Sequence, residues 1–306
     1  MADQSNNDYA NWMSKLPESL LDCPITELAI PGSHNSFSAQ LDSNSEVGPG
    51  VPPVIHMLGP LAKGIMYKWS VTQTLSFKDQ LKCGIRYLDL RIASRKTSSD
   101  IYFIHGLYGT TVAAGIKEIL HFLEEHKREI VILDFNHFYE MNEQHHRAFL
   151  DNLINMCGEK LCLFVGMENL NLRMMWENGL QIIVLFHHQI ATEYVQIWPG
   201  STSIVFPWAN TISVPELISY LDKTLMSSPD HCLHVSQGVL TPNAGYILGH
   251  MNGSLKNDIA MKTMPELVKW FRSKTRGKQN KGINIVTADF IELSDFVKSL
   301  IQLNYE

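Results

Sequence analysis

A (β/α)₈ barrel of TIM type, formed as a single domain over residues 1–306, is the fold this sequence predicts, on three observations. Eight short runs rich in Ile, Val, Leu and Tyr alternate with longer segments whose apolar residues recur at helical spacing. No Gly/Ser-rich or Pro-rich linker divides the chain, and no repeat is evident. The glycine-rich phosphate loop expected of an open doubly wound sheet is missing.

The strand runs begin with LAIPG at 28–32, IRYLDLRI at 85–92, IYFIHG at 101–106 and EIVILDF at 129–135. QIIVLFHH at 181–188, SIVF at 203–206, LHVSQ at 233–237 and INIVTADF at 283–290 complete the series. Several are nearly continuous in apolar residues, as expected of parallel strands buried on both faces beneath helices. The helical patterns lie between them, at 113–126, 144–156, 171–178, 214–226 and 264–275.

Composition narrows the function classes. A formal net charge of -6 gives no global attraction to nucleic acid or anionic lipid, so nucleic acid is not an expected partner. The opening residues lack a basic and then apolar leader pattern, and no apolar run reaches membrane-spanning length. The expected location is cytoplasmic. Five scattered cysteines complete no zinc pattern and are expected to be reduced and mostly buried.

In a barrel of this kind the chemistry sits where strands end at their C-terminal face. His34 follows the first run, Asp89 and Arg91 close the second, and His105 closes the third. Asp134 and Asn136 close the fourth, and Asp289 closes the last. Two histidines and an arginine at one rim suit in-line displacement at phosphorus. One imidazole takes a proton from the attacking oxygen, the other gives one to the leaving oxygen, and the guanidinium holds the non-bridging oxygens. Quieter readings stay open at each position. A histidine at a strand end can satisfy a backbone carbonyl, Asp89 and Arg91 can form a capping ion pair, and Asp289 can cap the C-terminal helix.

The ordered motifs PGSHNSF, TQTLSFKDQLKCGIRYLDLRI, IYFIHGL and VILDFNHF resemble the X region of phosphatidylinositol-specific phospholipases C. The segments WPG at 198–200, PWANT at 207–211 and NIVTADF at 284–290 are similar to the animal proteins that carry the X domain alone. The resemblance runs from Trp12 to Tyr305. It implies that His34 is the base acting on the inositol 2-hydroxyl, oriented by Asp289. It likewise implies that His105 is the acid for the departing diacylglycerol oxygen and that Arg91 is the phosphate clamp. Inositol 1,2-cyclic phosphate would form first, and water would then open it. Asn35, Asp89, Asp134 and Asn136, with His137, fall where the family binds substrate. The implied partner is a phosphoinositide at the bilayer surface.

Two departures bear on activity. Large eukaryotic members hold Ca²⁺ with an asparagine after the first histidine and acidic residues on later strands, whereas bacterial members place an arginine there. This chain has both Asn35 and Arg91. Calcium takes about six to eight oxygen ligands, so the expectation is no metal or other cofactor, with Ca²⁺ as the alternative. Bacterial members also have an aspartate at the position of Asn35, supporting the second histidine. An amide can orient His105 but cannot stabilise its imidazolium by charge. A catalytically weak or inactive phosphoinositide-binding protein is therefore the alternative function. A glycerophosphodiesterase or sphingomyelinase D-like enzyme would need a carboxylate-built metal site, which Arg91 opposes.

Three further segments complete the reading. The apolar, Pro-interrupted stretch 48–69, with Val51, Val54, Ile55, Met57, Leu58, Ile65 and Met66, either dips into headgroups or folds back on the barrel. The run SKTRGKQNKG at 273–282 is expected to be a solvated loop. The adjacent pairs His145-His146 and His187-His188 are not expected to ligate metal, because neighbours on a strand point to opposite faces.

Overall fold

Eight parallel strands curl around a common core in the computed structural model, which describes residues 9–51, 62–229, 231–278 and 281–306. The strands in chain order are β1 (Ile30–Ser33), β2 (Tyr87–Arg95), β3 (Ser98–His105), β4 (Leu107–Thr111) and β5 (Val131–Tyr139). They continue as β6 (Ile182–Phe186), β7 (Trp198–Pro199), β8 (Ile204–Val205), β9 (Leu233–Gln237) and β10 (Ile285–Ala288). The hydrogen-bonded path runs β7-β6-β5-β2-β1-β10-β9-β8, with every neighbouring pair parallel. Its two ends are consecutive in sequence and are joined by the four-residue helix Gly200–Ser203.

The third predicted stave is corrected by this topology. Residues 101–106 belong to β3, which folds back antiparallel on the long second half of β2, pairing Ile92 with Phe103 and Ala93 with Tyr102. β4 then pairs with β3, so the hairpin stands off the parallel path. The stave beside β2 is β5, paired from Tyr87–Ile132 to Ala93–Tyr139 with a register shift between Leu90 and Arg91. The count of eight is restored by β7, two residues in the WPG segment. Such a short strand leaves almost no periodicity to read.

The five predicted helices appear as Val112–Glu125, Glu143–Cys157, Leu172–Glu177, Val214–Ser227 and Met261–Arg272. Their buried faces, such as Ile116, Ile119, Phe122 and Leu123, pack on strands whose residues are buried throughout, Val131–Phe135 and Ile182–Phe186 among them. Close approach at β1 depends on Gly32, where a Cβ would lie 2.8 Å from both Thr287 and Tyr87 side chains. At the start of β2, Arg86 is fully buried. It donates from Nη1 to the carbonyls of Leu81 and Ile85, each at 2.7 Å, and from Nη2 to Glu129 Oε2 at 2.6 Å. Glu129 in turn accepts from the Ser14 amide at 3.0 Å, tying the N-terminal segment across the barrel floor.

The basic run is only partly the solvated loop expected. Lys274 pairs with Asp222 at 2.6 Å, Arg276 donates to the Glu27 carbonyl at 3.1 Å, and Lys278 is buried, donating to Ser228 Oγ. Cys157, Cys162 and Cys232 are buried, and Cys23 and Cys83 are half-buried. Of the apolar insertion, Val54, Ile55, Met57 and Leu58 lie outside the described residues. Met66 is buried against Leu107, and Ile65 is half-buried. Among the described residues no helix is long and apolar enough to cross a membrane.

Candidate active site

The chain turns sharply after β1. Asn35 takes φ 41°, a left-handed conformation that asparagine tolerates better than most residues, and Ser36 N–H returns to the Asp89 carbonyl at 3.0 Å. Phe290, just after β10, is also left-handed at φ 53°, and its amide reaches the Thr72 carbonyl at 2.6 Å. These two turns bring together residues 255 positions apart. His34 Nδ1 lies 2.7 Å from Asp289 Oδ1. A carboxylate accepts, so Nδ1 carries the proton, and Nε2 is the nitrogen left to exchange one. The His34 carbonyl is held by Thr72 Oγ1 at 2.9 Å and Gln73 Nε2 at 3.0 Å.

Around Nε2 of His34 stand the Asn35 side-chain amide at 3.1 Å, Arg91 Nη2 at 3.4 Å and Asp89 Oδ2 at 3.8 Å. Asp89 accepts from the Asn35 backbone amide at 2.8 Å and from Asn136 Nδ2 at 2.6 Å. Burial alone would raise the Asp89 carboxyl, but Arg91, His34 and these two hydrogen bonds outweigh it and hold it below the usual carboxylate range.

His105 faces His34 edge-on, with ring centroids 6.3 Å apart. Its position at the end of the β3 hairpin arm, not of a parallel stave, still brings it to the same mouth. Burial, then the charges of Arg91 and His34, push the imidazole down to about 3, so the free site holds it neutral. Asn35 Nδ2 lies 3.5 Å from His105 Nδ1, and the Ser70 carbonyl is closer to the same nitrogen, at 2.8 Å.

Asp134 is fully buried beneath the mouth and does not line the cavity. It accepts from Tyr87 Oη and, at 2.7 Å, from His187 Nε2, and it lies 3.3 Å from Asn136 Nδ2. The Asn35 side chain is likewise buried, whereas Asn136 and His137 line the cavity, joined at 2.7 Å. Ser70, Tyr87 and His187 are the participants that sequence reasoning missed. Only His187 had left a signal, as half of an adjacent pair set aside as a non-ligand.

The cavity over these residues has a volume of about 460 Å³. Its polar wall includes Asn136, His137, Gln237 and Thr287, and its apolar wall includes Met66, Trp69, Ile104, Phe206, Trp208 and Leu255. Both oxygens of Asp89 and both of Asp134 are already engaged by internal donors, and a guanidinium occupies the space beside His34. Among the described residues no group of three or more His, Cys, Asp or Glu could hold a metal.

No protein-family model matches the chain. Curated relatives match over nearly its full length. PI-PLC X domain-containing protein 2 of Mus musculus is 43% identical over 300 residues, 96% of this chain and 87% of that one. PI-PLC X domain-containing protein 3 of Homo sapiens is 41% identical over 303 residues, covering 97% and 94%. PI-PLC X domain-containing protein 1 of Homo sapiens is 32% identical, covering 97% and 93%. Among solved structures, a mutant phosphatidylinositol-specific phospholipase C from Staphylococcus aureus superposes with a TM-score of 0.69 at 17% identity over 97% of each chain. The phosphatidylinositol-specific phospholipase C of Listeria monocytogenes gives 0.66 at 19%, over 97% and 98%. Both share the barrel. With the motifs in order along the chain and full-length identity at this level, the chain belongs to the PI-PLC X domain-containing protein family.

Proposed function

We propose that this chain is a single X domain that cleaves phosphatidylinositol by phospholipase C chemistry, working from the cytoplasm in transient contact with a membrane surface. The observation that carries the reading is the pair of facing imidazoles, 6.3 Å apart at their centroids, with Arg91 beside His34. In the proposed step the inositol 2-hydroxyl oxygen attacks phosphorus and gives its proton to His34 Nε2. Asp289 steadies the imidazolium that results. The bond from phosphorus to the diacylglycerol oxygen breaks, and that oxygen takes a proton from the imidazolium form of His105, which is left as the neutral ring. Cyclic phosphate and diacylglycerol leave as products, and the two histidines exchange roles when water opens the ring.

Arg91 supplies the positive charge on the non-bridging oxygens in a metal's stead. It is the one arginine among the described residues lining the cavity, and no lysine lines it there. Asn136, His137, Gln237 and Thr287 offer hydroxyl-binding groups without fixed charge. That inventory supports a headgroup whose only phosphate is the scissile one.

Two features support a second reading, a headgroup-binding protein with little turnover. The Asn35 amide and Arg91 both aim donors at the lone pair His34 would use, and burial keeps His105 neutral. Phosphorus NMR of phosphatidylinositol vesicles incubated with the protein, with and without chelator, separates the two. Cyclic phosphate formed in chelator supports metal-independent cleavage. Retained headgroup binding without turnover supports the second reading.

A further inference from the structure

His105 is followed by Gly106 at φ 72°, in the left-handed region that favours glycine. A Cβ at Gly106 would lie 2.8 Å from Ser70 Oγ and 3.5 Å from Met66 Cε, so glycine is what lets another element press against this turn. That element is the helix Ala62–Ser70, whose Met66 is buried against Leu107. Ser70 is its last residue, and the carbonyls of a last helical turn have no partner within the helix. Here the Ser70 carbonyl finds His105 Nδ1 at 2.8 Å.

A carbonyl oxygen can only accept, so the contact assigns the proton of the neutral ring to Nδ1. Nε2 becomes the nitrogen that exchanges a proton with substrate. The partial negative charge at a helix C-terminus also favours the imidazolium over the neutral ring. We propose that the helix Ala62–Ser70 is a positioning element for the acid, its terminal Ser70 carbonyl doing for His105 what the Asp289 carboxylate does for His34. The assignment of tautomer stands on geometry alone, and its effect on turnover rests on the cleavage reading above. It also connects the apolar segment 48–69 to the chemistry, because whatever displaces this helix displaces the group that orients His105.

Long-range proton–nitrogen NMR of the histidine rings tests the tautomer directly, without turnover. Wild type should show His105 protonated at Nδ1 with Nε2 bare; the reverse pattern overturns the proposal, whether or not the protein cleaves lipid. Gly106→Ala, which strains the left-handed turn at φ 72° and sets a methyl against the Ser70 hydroxyl, should loosen the Ser70–His105 contact, mix the two tautomers and lower kcat about 100-fold, within the usual range for one acid group. KM should stay within about 3-fold, because the polar wall of Asn136, His137, Gln237 and Thr287 is untouched. A gentler variant replaces Val71 by its α-hydroxy acid, turning the Ser70 carbonyl into a weaker ester acceptor at no cost in volume. It should reduce kcat about 3- to 10-fold and reproduce a weaker tautomer shift, which keeps the test open if Gly106→Ala fails to fold. In the Asn35→Asp background, where a carboxylate stands near Nδ1, both losses should shrink. Retention of the pure Nδ1–H form in both variants overturns the proposal, as does a loss of equal size in the wild-type and Asn35→Asp backgrounds. A wild type that shows the expected tautomer and no turnover refutes the cleavage reading alone.

Discussion

Exchanging the Asn35 amide for a carboxylate puts charge where the site has only a dipole. In Asn35→Asp the new oxygen would sit about 3.5 Å from His105 Nδ1, the present position of the amide nitrogen. Opposite charges about 4 Å apart in a site of effective dielectric about 20 interact by about 4 kcal/mol, equivalent to about three pKa units. Two neighbours reduce that gain. The Asp89 carboxylate accepts the residue 35 backbone amide at 2.8 Å and repels a second anion, and His34 Nε2 competes for the same charge at 3.1 Å. If about half survives, His105 rises from about 3 to about 4.5–5, and its protonated fraction at pH 7 grows about 30- to 100-fold. Turnover of phosphatidylinositol in mixed micelles at pH 7 should rise by about 10-fold or more, with the basic limb of the kcat profile moving upward. The assay is kcat against pH from about 5 to 8 for both proteins. A rate unchanged or lower at every pH would refute the reasoning, and would assign the acid's support to the Ser70 carbonyl alone.

Arg91→Lys keeps the charge but loses the fork that can span two phosphate oxygens, and kcat/KM should fall about 100- to 1,000-fold with thermal stability little changed. Arg86→Met leaves the fully buried Glu129 carboxylate and four carbonyls without their guanidinium partner. It should destabilise the fold by about 3–5 kcal/mol in denaturant melts, while Arg86→Met combined with Glu129→Leu should recover part of the loss. His234 on β9 is fully buried, neither ring nitrogen having a hydrogen-bond partner among the described residues, and burial followed by the nearby Lys278 pushes it down to about 4. A histidine lowered on folding contributes its stability above its unfolded value of about 6.5 and loses it as pH falls towards 4. The loss is about 3 kcal/mol across that window. Unfolding free energies of wild type and His234→Leu should therefore converge or cross between pH 7 and 4.5; parallel curves would exclude His234 as a source of acid sensitivity.

Much of this molecule is legible in one dimension because strand and helix periods are local. Each of the five helical patterns emerged within a few residues of its predicted span, and β1, β2, β5, β6, β9 and β10 lie within or overlap the predicted apolar runs. The polar residues at the run ends were legible for the same reason, since a buried strand can carry His, Asp or Arg only where it emerges. The run at 101–106 shows the limit. Period-2 alternation is the same in a parallel stave and in an antiparallel hairpin arm, so nothing local separates β3 from a stave. The two-residue β7 is too short for any period.

The sequence by itself determined the alternation of strand and helix, the barrel class, and the order of His34, Arg91, His105 and Asp289 along the chain. Tertiary structure alone decided who meets whom: Ser70 with His105 across 35 positions, Asp134 with His187 across 53, and His34 with Asp289 across 255. The reason is physical. Burial and periodicity are properties of a segment and its solvent, whereas a hydrogen bond between distant residues depends on how the chain reverses between them. At Asn35, Gly106 and Phe290 those reversals rest on left-handed backbone that only a few residue types accept readily.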